Sequence, residues 1–125
     1  MDRIVNALAV LLAILFASIG LRWLVDPAGA APGLGMVLQQ GAGLAAQIGD
    51  LAAFFLGAAT LLLVGVIRRR SELLVAAGAL IGVVALFRLL AWLLHDAALT
   101  PGPMVVEIVT LIVALRAAGI ARRAQ

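Results

Sequence analysis

Four separate apolar runs, each close to 20 residues long, constrain this chain more than any other feature. They lie at about Ile4–Val25, Leu44–Ile67, Leu73–Leu94 and Met104–Ala121. At ~1.5 Å per residue, ~20 helical residues cross a ~30 Å hydrocarbon core. Lipid offers no hydrogen bonds to an open backbone, so each run must be a helix. Composition agrees: 66% of the 125 residues are hydrophobic and 12% charged. A soluble domain runs nearer ~45–50% apolar and ~25% charged. The expectation is one all-α membrane domain, a four-transmembrane-helix bundle spanning residues 1–125.

The breaks between runs are chemically distinct. Arg68-Arg69-Arg70-Ser71-Glu72 reads as a tight charged turn. Thr100-Pro101-Gly102-Pro103 stops one helix and starts the next. Asp26–Gly43 is longer, and its apolar part (Leu34, Met36, Val37, Leu38) suggests a short interfacial or re-entrant helix capping the polar residues below.

Arginine placement gives direction. If the chain zigzags four times, Arg3, Arg68, Arg69, Arg70, Arg122 and Arg123 flank one side, and the loops of the other side hold no arginine. By the positive-inside rule both termini are cytoplasmic, which implies a multi-pass protein of the bacterial inner (plasma) membrane. Trp23 and Trp92 fall at the opposite boundary, where an aromatic belt belongs. Arg3 before an apolar stretch also resembles a signal peptide. The stretch is about twice the usual core length for one, so an anchored first helix is the reading.

Several classes are excluded or weakened. Cysteine is absent, which removes disulfides and thiolate metal sites. The net charge of +3 is carried by arginines without an aromatic-laced basic face, so nucleic acid is not a partner. No cofactor is implied. His95, the single histidine, sits beside Asp96 at a helix end, where solvation explains it.

The informative residues are the ionisable ones inside the spans, each costing ~2.5–3.5 kcal/mol at the bilayer centre. Arg88 lies six residues before Leu94, and Glu107 four residues after Pro103. That places them ~9 Å and ~6 Å in from the same side. A short connection packs their helices antiparallel, so an Arg88–Glu107 ion pair is expected. Gln47, Asp50 and Phe54 share one helical face, and Arg88, Trp92 and His95 another. Arg22 and Asp26 are i, i+4 neighbours. Each span thus brings at least one ionisable group (Arg22, Asp50, Arg88, Glu107) to the outer half. Either these form a structural network that fixes helix register, or they line a pocket for a ligand head group.

Small residues recur at helical spacing. Gly78 and Gly82 form one row, and Gly49, Ala53 and Gly57 another. Both suggest close packing within the bundle, with contact between copies as the alternative.

Four segments carry a family resemblance: Leu21-Arg22-Trp23-Leu24, Gln47-Ile48-Gly49-Asp50, Phe87-Arg88-Leu89-Leu90 and Val106-Glu107-Ile108. With the overall plan, they resemble the uncharacterised bacterial four-span proteins grouped as domain of unknown function 4345, similar in architecture to DoxX-like membrane proteins. The resemblance covers nearly the whole chain. It implies the fold and assigns no catalytic or ligand residue.

The functional expectation is a non-enzymatic membrane protein binding a lipophilic or amphipathic small molecule, or a partner membrane subunit, through the outer-leaflet cluster of Arg22, Gln47, Asp50, Arg88, Trp92, His95 and Glu107. Membrane lipid surrounds it, and a homo-oligomer is a further option. One alternative is a small transporter or channel subunit acting as a homo-oligomer. Another is a membrane-embedded enzyme with Asp50 or Glu107 as acid or base.

Overall fold

A computed structural model describes residues 1–124. It is built of helices: α1 (Asp2–Val25), α2 (Pro27–Ala30), a 3₁₀ turn (Ala31–Leu34), α3 (Gly41–Ile67), α4 (Ser71–His95) and α5 (Pro101–Arg123). Four of these, α1, α3, α4 and α5, are long and apolar enough to span a membrane. They run up and down, with α1 packed mainly on α3 and α4 mainly on α5. Smaller contacts between α3 and α4 and between α1 and α5 close the bundle. Arg123 Nη2 lies 3.5 Å from Asp2 Oδ1, so the first and last helices meet at one end. The α3–α4 turn, with Arg68, Arg69 and Arg70, must lie at that end too.

Each helix outruns its apolar stretch by a few residues. The hydrocarbon sets where a span must be apolar; the caps set where the helix stops. Asp26 caps α2, its Oδ1 accepting from the Gly29 N–H at 3.1 Å. Pro27 and Pro32 open α2 and the 3₁₀ turn, and Gly35 (φ 68°) ends the turn in the left-handed region. The helical part of this connection therefore falls at residues 27–34, before the apolar Met36–Leu38 stretch where it was expected.

The core inverts the soluble pattern. Its buried positions are largely alanine (Ala9, Ala13, Ala58, Ala77, Ala114, Ala117, Ala118), while most of the leucines, isoleucines and valines face outward. Lipid tails are as apolar as leucine, so small residues are selected inside because they let backbones approach. Phe16 and Phe55 stack across α1 and α3, ring centroids 5.9 Å apart. A Cβ at Gly82 would lie 3.1 Å from Leu111 Cδ2, and one at Gly78 would lie 3.3 Å from Ala114 Cβ. That row packs α4 on α5, as expected. Gly49 and Gly57 would meet nothing within 4 Å. Together with Ala53 they face outward, so the packing within the bundle anticipated for this row is absent.

Candidate functional site

Arg88 and Glu107 meet as their depths required. Arg88 Nε donates to both carboxylate oxygens of Glu107, at 3.0 Å (Oε1) and 2.9 Å (Oε2). Arg88 Nη1 reaches Thr100 Oγ1 at 3.5 Å, tying the pair to the α4–α5 connection. Glu107 is buried, with 8% of its surface exposed. The contact differs from the expected fork: one N–H is shared between two oxygens. It holds α4 to α5 near the end away from the arginine-rich turn.

One turn deeper, Thr110 is fully buried and returns its hydroxyl to the Val106 carbonyl at 2.7 Å. Below it the bundle interior is Ala77, Ile81, Ala114 and Ala117 among the described residues. Glu107 is thus held by its cation, and no polar route leads from it to the other end.

The remaining ionisable groups are not gathered around this pair. Arg22 Nε stands 3.9 Å from Asp26 Oδ2, a loose i, i+4 contact with both side chains exposed. Gln47 clasps the long connection: its Oε1 accepts from the Gln39 N–H at 2.8 Å, and its Nε2 donates to the Val37 carbonyl at 3.0 Å. Replacing Gln47 by leucine removes both bonds. We expect faster amide exchange at Gln39 with the span itself unaffected, read by hydrogen exchange.

His95 and Trp92 are exposed at the far end of α4. Trp92 keeps the position of a belt residue. Trp23 does not: it is fully buried with Ala30, Ala31 and Ala52, beneath α2 and the 3₁₀ turn. The long connection therefore covers an indole, where a cap over the charges was expected. The Trp23 Nε1–H has no protein acceptor.

Like Arg116 of α5, which is exposed and has no ion partner among the described residues, Asp50 stands outside these contacts. It lies six residues inside the apolar run that begins at Leu44, so about 9 Å into the span. It is exposed on the outer surface of α3. No hydrogen bond or ion pair reaches it from any described residue. Around it on that surface are Ala46, Gly49, Ala53 and Gly57, all exposed.

A cavity near the expected cluster lies between α1 and the connection, lined by Ile19, Arg22, Ala30, Gly33 and Leu34, with a volume of ≈ 130 Å³. Drug-sized ligands occupy roughly 300–1,000 Å³. The cluster splits into an internal clamp, a loop clasp and an outward carboxylate. Helical phase alone did not separate them, because residues are apolar all round each span.

No protein-family model, curated protein or solved structure matches this chain.

Proposed function

We propose that this chain is an assembly subunit of the bacterial inner membrane that docks a second copy of itself against the outer surface of α3, around Asp50. The DoxX-like resemblance is carried as part of this reading. The observation that carries it is Asp50 itself: an ionisable side chain within a span, exposed and without a partner. Facing lipid tails, its charge is costly, by up to ~2.5–3.5 kcal/mol at the bilayer centre and less toward the interface. A neighbouring helix that supplies a donor relieves this cost. The exposed small residues on either side allow that helix to come close.

Charge complementarity favours a second copy as the occupant. Copies inserted in the same sense are related by an axis along the membrane normal, so each residue meets groups at its own depth. On α1, Gly20 faces Ala52 and Leu56, and Trp23 packs with Ile48, Leu51 and Ala52. Arg22 stands between them, within roughly one helical turn (about 5.4 Å) of the level of Asp50. It is exposed and only loosely held by Asp26. A second copy thus brings an arginine to the depth where the carboxylate needs one. The ligand-pocket reading has the small ≈ 130 Å³ cleft in its support. Enzyme and transport readings have an engaged glutamate and an apolar interior.

The test is self-association in detergent or nanodiscs by native mass spectrometry. Asp50→Leu should weaken dimerisation about ten-fold, from an intramembrane polar contact of ~1–2 kcal/mol. Exchanging the charges, with Arg22→Asp and Asp50→Arg together, should recover part of it. A monomeric wild type, or an unweakened Asp50→Leu, refutes the proposal.

A further inference from the structure

Arg116 is a second unmatched charge within a span, in the half of the bundle opposite Asp50. It lies on α5, five residues inside the apolar run that closes at Ala121, so about 7.5 Å below that end. It is exposed on the outer surface of the helix, and no hydrogen bond or ion pair reaches it from any described residue. A charge facing lipid tails is costly. Snorkelling gives it little relief. A helical side chain leans toward the N-terminus of its own helix, which for Arg116 means toward the bilayer centre and away from the nearer surface.

The chain has no carboxylate left for it. At the arginine-rich end, Asp2 contacts Arg123 and Glu72 holds Arg70. The other acidic residues, Asp26, Asp50, Asp96 and Glu107, belong to the opposite half. A second copy inserted in the same sense brings the same groups at the same depths, so it offers Arg116 no counter-charge. The neighbouring side chains decide between a foreign helix and a lipid. Around Asp50 the surface is glycine and alanine, which lets another backbone come close. Around Arg116 it is long and aliphatic: Val109, Ile112 and Leu115 are about half exposed. They hold a neighbouring backbone off and match acyl chains. One turn nearer the end of α5 the surface opens at Gly119, where the nearest atom to an added Cβ is Arg123 Nη1, at 4.0 Å.

We propose that Arg116 binds the phosphate of an anionic phospholipid from the leaflet at the arginine-rich end, with the head group over Gly119 and the acyl chains along Ile112 and Leu115. A guanidinium presents a planar fork that matches phosphate oxygens. Binding breaks no existing contact of Arg116. By the positive-inside rule this leaflet is cytoplasmic, where anionic lipids concentrate. A choline head group would bring its own cation beside Arg122 and Arg123.

Native mass spectrometry of the full chain, titrated with phosphatidylglycerol, tests the site. Arg116→Gln should weaken binding about five-fold, the contribution of one basic side chain at a lipid surface. Gly119→Leu keeps every charge and fills the space above Arg116, and should weaken binding by a similar factor. Arg122→Gln alters an exposed arginine beyond the apolar run, where salt screens it, and should change binding by less than about two-fold. Asp50→Leu should leave lipid binding intact whatever it does to self-association, so the two sites fail separately. Equal losses from Arg122→Gln and Arg116→Gln would show diffuse surface attraction and overturn the site, as would full binding by Gly119→Leu. Phosphatidylcholine bound as tightly as phosphatidylglycerol would overturn the requirement for an anionic lipid. Inorganic phosphate that displaces the lipid would overturn the lipid as its source. Loss of the dimer in Arg116→Gln would assign this arginine to a protein interface instead.

Discussion

Replacing Glu107 by glutamine should lower the unfolding free energy of the detergent-solubilised protein by about 3 kcal/mol, the usual cost of breaking a buried ion pair from one side. The loss comes from what remains. Arg88 keeps its charge and a 3.5 Å contact to Thr100, and it loses both carboxylate oxygens. The expectation that separates a coupled pair from two independent polar residues is the double variant. Arg88→Leu with Glu107→Leu removes both charges and supplies apolar volume, so it should fall well short of the sum of the single losses. Equal additivity, measured by denaturation in mixed micelles, would show that the two side chains do not stabilise each other. Association should be spared in the double variant, since neither residue lies on the Asp50 surface.

Gly20→Leu should approach the same loss by a different route. A Cβ alone at Gly20 would stand 2.7 Å from Leu56 Cγ, 3.1 Å from the Leu56 backbone nitrogen and 3.2 Å from the Ala52 carbonyl oxygen. Leu56 Cγ could move, but the two backbone atoms cannot move without shifting α3. The larger side chain must push α1 from α3, on which it is mainly packed. Overpacking of this kind costs ~1–3 kcal/mol, and it is greatest where the obstacle is backbone. Gly57→Ala is the control. A Cβ there meets nothing within 4 Å of its own chain, so thermal stability of the monomer should hold. A Gly20→Leu variant as stable as wild type would mean that α1 and α3 are not in this close contact.

The same two helices show what was legible in the sequence. The four spans, their direction relative to one another and the Arg88–Glu107 pair were all readable, because each depends on position along the chain. Run length fixes a span, and counting residues from Leu94 and Pro103 fixes two depths. Rotation about the helix axis was not readable. A soluble helix announces its inner face by polarity; here lipid and core are equally apolar, so neither Asp50 nor Trp23 could be oriented from its neighbours. The usable signal was size. Ala9, Ala13, Ala114 and Ala117 point inward while Leu11, Ile14, Ile112 and Leu115 point outward. On α3 the rule holds for Ala52, Ala58 and Ala59, which are buried, and fails for Ala45, Ala46 and Ala53, which are exposed. The row of Gly49, Ala53 and Gly57 belongs to that outer set of small residues, gathered about an unmatched carboxylate.

That outer row can be probed directly, because the chain contains no cysteine and any introduced thiol is unique. Single cysteines placed along α3 in native membranes and exposed to a short bifunctional thiol reagent report which face meets another copy. Ala46→Cys, Ala53→Cys and Gly57→Cys should give cross-linked dimers, while Ala52→Cys and Ala59→Cys, which point into the bundle, should not. Cross-links absent from all five positions, or strongest at Ala52 and Ala59, would contradict an assembly surface centred on Asp50.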